Sequence, residues 1–354
     1  MDSRSEQIFI TVSNMVEQLR LPNFFIIGAA KCGTTDLASL LDKHPEIQIS
    51  KVKEPTLFSR DDLENLVPKF VWHLPDFWRT LDWDCHLDTI LREYSRLFED
   101  IPADVLAGEA SVWYFLSQKA PWRIHKLLPH AKLIAILREP ASRLRSDYWF
   151  DVQGGRTCGE IDDYFHTKQA TNAVQWGLYA KHLNHWLAVF PRDQLHVVLF
   201  EEYISPQTRQ GVIDGICQFL GVGPLPEVAQ LETRSNKTGM PRSVSVELAL
   251  NLVRLHFKLP GSLSQDHEFR VPYGRKRRLI NTIVQGISRL NISYKRRPPA
   301  WPPELLERLK TYYRFENAGL SEMIGRDVNE IWYNDKTLNG VDRSCVASRW
   351  NDFI

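Results

Sequence analysis

Gly28-Ala-Ala-Lys31-Cys32-Gly33-Thr34-Thr35 is the sharpest chemical signal in the chain. It sits between an apolar run and a helical pattern. In that context backbone N–H groups and a helix N-terminus converge on one point and attract an anion. Lys31 adds a mobile positive charge, and Thr34 and Thr35 add hydroxyl donors. The order departs from a Walker A loop, where Lys directly follows the second Gly. Here Lys31 precedes Gly33 by two residues, and Thr34 stands where that Lys would be. No apolar strand ends in an Asp that could hold Mg²⁺; the strand ends offer Gly108-Glu109 and Arg138 instead. A phosphate-like group is expected at the loop. A P-loop small-molecule kinase is the disfavoured alternative.

A second anion signal lies about a hundred residues on. The apolar run Lys132–Leu137 ends in Arg138-Glu-Pro140, followed by Ala141-Ser-Arg143-Leu-Arg145-Ser146-Asp147-Tyr148. Arg138 therefore stands at a strand's carboxyl end, where open α/β sheets bind ligands. Ser146 follows about two helical turns later and can face the same side. Arg supplies a planar fork for a phosphate and Ser a neutral donor.

These residues need strands and helices to hold them. Asn23–Gly28, Val105–Gly108, Lys132–Leu137 and Asp193–Phe200 read as strands. Helical patterns cover Asp36–Lys43, Ala120–Leu128, Ala141–Asp151, Gly177–Phe190, Pro206–Leu220 and Pro303–Ile324. Alternating strands and helices predict an α/β fold: a P-loop-type parallel β-sheet with helices on both faces and a late basic insertion. The expected organisation is a lead-in over 1–22, one domain over 23–332 with the insertion at about 242–302, and an irregular tail over 333–354. The composition is that of a globular chain: 354 residues, 43% apolar and 25% charged. Its net charge of +1 gives no reason to expect a nucleic-acid partner. The five cysteines form no C-x-x-C pair and have no histidines at zinc spacing, so free thiols and no metal are expected.

Together the two strings resemble the PAPS-dependent sulfotransferase family (PAPS is 3′-phosphoadenosine 5′-phosphosulfate). Gly-x-x-Lys-x-Gly-Thr-Thr matches its 5′-phosphosulfate loop, and Leu-Arg-Glu-Pro-x-x-Arg-x-x-Ser-x-Tyr matches its 3′-phosphate motif. The resemblance covers roughly 23–240 and resumes over Leu309–Trp332. It implies PAPS as donor, PAP as product and no metal requirement, with Lys31, Cys32, Gly33, Thr34, Thr35, Arg138 and Ser146 as donor contacts. The carbohydrate (Golgi glycan) branch fits best, on Lys53-Glu54-Pro55-Thr56-Leu57-Phe58, Gly108-Glu109-Ala110-Ser111 and Trp176-Gly-Leu-Tyr179-x-x-His182-Leu-x-x-Trp186. The nearest likeness is to members that 6-O-sulfate N-acetylgalactosamine 4-sulfate. Other glycan members carry Lys where Ala110 stands.

The resemblance implies in-line sulfuryl transfer, with Lys31 neutralising the leaving phosphate and Glu54 accepting the acceptor's proton. Glu109 is the reserve base. Lys53, Glu109, Ser111, Tyr179 and His182 are candidate acceptor contacts. In Ser235-Asn236-Lys237-Thr238-Gly239 the family closes a loop over the nucleotide, so Asn236, Lys237 and Gly239 are further donor contacts. Asn236-Lys-Thr238 and Asn291-Ile-Ser293 are also glycosylation sequons. Residues 251–300 hold 11 Lys/Arg and 2 Asp/Glu, a balance of +9 that leaves −8 for the rest. That segment reads as a solvated face or as a site for an anionic glycosaminoglycan-like acceptor; Leu279, Ile280, Ile283, Val284, Ile287 and Leu290 fall at helical spacing behind the basic run, as in an ordinary packed helix or, less favoured, a basic amphipathic helix at a membrane surface. Phe70, Trp72, Phe77, Trp78 and Trp83 are stacking or core aromatics. A small-molecule or phenolic hydroxyl is the alternative acceptor. The resemblance implies the Golgi lumen. The sequence itself has no signal peptide or spanning stretch, so a membrane anchor is not expected within this chain and the cytoplasm is the other compartment.

Overall fold

The computed structural model describes residues 16, 18–59, 82, 83, 85–157, 161–225, 239–257, 259, 275–294 and 299–333. Phe70, Trp72, Phe77, Trp78, Asn236 and Lys237 lie outside them. The chain divides into two compact units, 1–137 with 182–233 and 138–181 with 234–354.

The first unit holds a five-stranded sheet, every neighbouring pair parallel, in the order β2-β3-β1-β4-β5. The strands are β1 (Phe24–Gly28), β2 (Ile47–Ile49), β3 (Leu106–Ala110), β4 (Lys132–Leu137) and β5 (Leu195–Leu199). β1 is buried along its whole length, as a central parallel strand covered on both faces must be. Three expected strands lie within a residue or two of their place and β4 matches outright; β2, only three residues long, gave no periodic signal. Gly108 is needed for close packing: a Cβ there would come within 2.3 Å of the Phe24 ring.

Chain order gives the sheet a switch point. From β1 the chain crosses over β3 to β2, while from β4 it steps the other way to β5. The adjacent carboxyl ends of β1 and β4 are therefore where an open α/β sheet forms its ligand crevice. β1 runs into the 28–35 loop and then α1 (Thr34–Leu41).

The second unit is built on α2 (Pro140–Gln153), α3 (Val244–Phe257), α4 (Arg275–Asn291) and α5 (Pro303–Glu316). β6 (Met240–Pro241) pairs antiparallel with β7 (Ile292–Ser293). Leu144, Tyr148, Tyr164, Trp301 and Tyr313 are central to its core. The single expected helix over Pro303–Ile324 is two: α5 ends at Glu316 with Asn317 as its C-cap, and a short helix, Leu320–Ile324, starts after Gly319 at φ 87°. A left-handed residue cannot continue a right-handed helix, and glycine accepts it without a Cβ penalty. Tyr333, expected to begin the irregular tail, ends the helix Val328–Tyr333. Asn291 is not an open glycan acceptor. It is 7% exposed, and its side-chain amide donates to the Ser243 carbonyl (2.9 Å) and Glu247 Oε2 (3.2 Å).

Candidate active site

The anion loop carries backbone features that a phosphate or sulfate can use. Gly33 is the N-cap of α1 at φ 93°, and no side chain caps the helix, so its first N–H groups are left for another acceptor. The only acid in that first turn, Asp36, is paired with Arg209 at 3.2 Å and accepts a 2.6 Å hydrogen bond from the Tyr203 hydroxyl. An anion at the helix start meets no uncompensated carboxylate there. A Cβ on Gly28 would come within 2.6 Å of Phe115, which keeps the turn tight. Lys31, Gly33 and Thr35 are partly exposed, whereas Cys32 and Thr34 are buried.

Three non-glycine residues among those described have positive φ: Lys31 at 66°, Glu54 at 57° and Thr56 at 53°. Each costs on the order of 1–3 kcal/mol, and such strain persists where the surrounding structure imposes it, commonly at active sites. Two of the three are the residues expected to do chemistry.

The Glu54 segment is held against the phosphate loop and β3. Lys53 Nζ lies 2.7 Å from Thr35 Oγ1 and 3.3 Å from Glu54 Oε1. Lys51 instead pairs with Glu99 and Asp100. The Glu54 N–H donates to the Ala110 carbonyl at 3.1 Å, and the Thr56 N–H donates to Ser111 Oγ at 3.2 Å. Phe58 anchors the far end, with its ring 5.8 Å from Phe25, 5.5 Å from Tyr94 and 5.7 Å from Tyr114. Trp83 packs edge-on to Phe58 and under Arg123, so it is a packing aromatic.

Beneath this segment lies a buried carboxyl. Glu109 has no exposed surface; Tyr94, Tyr114 and Ser111 donate hydrogen bonds to it, at 3.2 Å from Tyr114 and 2.5 Å from Ser111. Ser111 thus links Glu109 to the Thr56 backbone. Burial pushes the Glu109 pKa up to about 7; the three hydroxyls pull it down, and the nearby charge of Glu54 raises it further. Burial also raises both tyrosines well above their usual range. An unfolded Glu109 ionises near 4.5, so between there and 7 the folded state holds more protons, and stability is lost as pH rises. Over that 2.5-unit gap the loss is about 3 kcal/mol. In Glu109→Gln this slope disappears. Denaturant melts of both proteins at pH 5 and pH 8 are expected to differ in ΔΔG by about that amount; equal ΔΔG at the two pH values would refute the shift.

In the second unit, Arg138 is partly exposed and its carbonyl accepts the Tyr179 hydroxyl at 2.8 Å. Glu139 is the N-cap of α2: its carboxylate accepts the Ala141 N–H at 2.9 Å and the Ser142 N–H at 2.7 Å, and Pro140 takes the first helical position. The Arg-Glu-Pro string thus starts a helix immediately after Arg138. Ser146 is partly exposed on α2. Arg143 is buried, paired with Asp147 at 3.0 Å and bonded to the Ala173 carbonyl. Gly239 is buried where a Cβ would come within 2.4 Å of Ile292, a packing reason for glycine there. Tyr179 is fully buried; His182, back in the first unit, is 5% exposed and sits 5.4 Å from the Phe115 ring.

The Sulfotransferase domain family matches residues 21–238, more than half of the chain. This chain belongs to that family. A solved sulfotransferase from Alicyclobacillus acidocaldarius is 25% identical, with a TM-score of 0.55 over 88% of this chain and 98% of that one. Carbohydrate sulfotransferase 15 of Homo sapiens is 29% identical over 258 residues, covering 58% of this chain and 45% of that one. Heparan sulfate glucosamine 3-O-sulfotransferase 3B1 of Homo sapiens is 31% identical over 216 residues, covering 57% of this chain and 47% of that one. The chain spans less than half the length of these curated relatives. Sequence reading of this family member missed Glu139 as a cap and the two tyrosines on Glu109. Tyr94 lies 15 residues from Glu109 in sequence, with no motif to join them.

Proposed function

We propose that the chain transfers a sulfuryl group from PAPS to a hydroxyl of a carbohydrate acceptor, with Glu54 as general base and Lys31 as the cation on the leaving phosphate. The observation that carries this reading is the joining of strained Glu54 to the phosphate loop through Lys53 and Thr35. PAPS supplies the activated sulfuryl group. The donor's 5′ end is assigned to Lys31, Gly33, Thr34 and Thr35, and its 3′-phosphate to Arg138 and Ser146, with Cys32, Asn236, Lys237 and Gly239 as further contacts. The Glu54 carboxylate takes the hydroxyl proton as the acceptor oxygen bonds to sulfur and the sulfur–phosphate oxygen bond breaks. Lys31 balances the charge left on that oxygen. Lys53, with Nζ 3.3 Å from Glu54 Oε1, orients the carboxylate. Glu109 and Ser111 serve best as the footing of this segment, since both are buried.

The names of the matched relatives, carbohydrate and heparan sulfate glucosamine sulfotransferases, support a glycan acceptor. Heparan sulfate is itself anionic, so sulfated and uronate-bearing glycans are the class to test first. Labelled PAPS incubated with a panel of such glycans, neutral glycans and phenols is expected to label an anionic glycan. Label in phenols alone would replace the acceptor class. Label in none, with PAP binding intact, would remove the catalytic reading.

A further inference from the structure

The hairpin of α3 and α4 is amphipathic in an unusual sense. The two helices run antiparallel, since the start of α3 bonds the end of α4 (Ser243 N–H to Asn291 Oδ1, 2.9 Å) and Arg277 bonds the Phe257 carbonyl. Their shared inner side is polar. Glu247 and Arg254 form a buried ion pair at 3.1 Å, and Ser288 and Asn291 also bond Glu247. The outer side carries the apolar residues. Leu279, Ile283, Ile287 and Leu290 recur at intervals of four, four and three and are 63%, 52%, 42% and 79% exposed. Of the other apolar residues at this spacing, Val284 is buried, at 3%, and Ile280 is half-buried. Leu252 and Leu255 of α3 are also exposed, level with Ile283 and Leu279 in the antiparallel register.

A helix that buries its polar contacts and presents leucine and isoleucine outward is suited to an apolar medium beside it. The charges decide which one. α4 contains five Lys/Arg and no Asp/Glu, four of them in its first turn and Arg289 in its last. A second copy meeting this face would set like charges against each other. A glycan would satisfy the cations but gain nothing from the leucines. An anionic lipid surface matches both: acyl chains for the stripe, headgroups for the basic ends. At 17 residues α4 is too short and too charged to span a bilayer, and among the described residues no helix is long and apolar enough to do so.

We propose that the α3–α4 hairpin docks flat on an anionic membrane surface, inserting Leu279, Ile283, Ile287 and Leu290. This does not depend on the sulfotransferase reading. The test is flotation of the full chain with vesicles of phosphatidylcholine alone or with about 30% phosphatidylserine, at low and high salt. The expected result is binding to the anionic vesicles, weakened several-fold or more by high salt and little seen on neutral ones. Ile283→Glu with Leu279→Glu is expected to lower binding at least tenfold, with unchanged thermal melting because both side chains already face solvent. Ile283→Trp should retain binding and show a blue-shifted emission on the anionic vesicles. Three results overturn the proposal: no flotation of the wild-type chain, equal flotation of the double-Glu variant, or self-association that the double-Glu variant abolishes in the absence of vesicle binding. Retention on immobilised heparin without flotation would assign the basic face to a glycan and overturn it as well.

Discussion

Glu54→Gln is expected to lower turnover by about 100- to 10,000-fold while PAP binding stays within about threefold of wild type. Gln keeps the shape of the side chain and an oxygen for Lys53 Nζ, now 3.3 Å from Oε1. The backbone bond from Glu54 N–H to the Ala110 carbonyl does not depend on the side chain. What is lost is the basic oxygen that takes the hydroxyl proton. A merely structural Glu54 would behave differently. Its loss would lower thermal stability and PAP affinity together, with turnover following in proportion. Transfer assays at saturating donor, paired with calorimetric PAP titration, separate the two cases. Turnover within threefold of wild type would remove Glu54 from the chemistry.

The second large effect is at Lys31. Lys31→Ala is expected to cost about 100- to 1,000-fold in turnover, the usual penalty for removing one charge-stabilising donor at a developing oxyanion. The backbone offers a sharper version. Lys31 holds φ at 66°, where every residue except glycine carries a Cβ clash. Lys31→Gly is therefore expected to lose the same turnover but gain about 1 kcal/mol of stability. An opposite movement of activity and Tm would show that the site maintains the strained lysine for function. If the glycine variant were less stable than wild type, Lys31 would be contributing packing that outweighs its strain.

Much of this layout is legible in the sequence, for identifiable reasons. KLIAIL is a continuous apolar run bounded by polar residues, and β4 occupies those residues. The phosphate loop is legible because glycine positions encode backbone geometry directly, as Gly33 at φ 93° illustrates. Properties set by contacts distant in sequence are not legible. The raised pKa of Glu109 comes from burial beneath a loop and from a tyrosine on another element. The strain at Glu54 and Thr56 leaves no trace in residue type, since neither is glycine. α4 shows a third limit. Helical spacing told which residues share a face, but not that the face turns outward while Ser288 and Asn291 turn in. Glu139 shows a fourth: a charged residue within a binding motif serves as a helix cap.

Under the proposed function, PAP binding depends both on Lys31 in the 28–35 loop and on Arg138. Calorimetric titration of PAP into the full chain tests it most directly, repeated with Lys31→Ala and with Arg138→Ala. One nucleotide per chain, with affinity lowered at least tenfold in each variant, is the predicted result. No binding to the wild-type chain, or binding that only one of the two substitutions weakens, would contradict it.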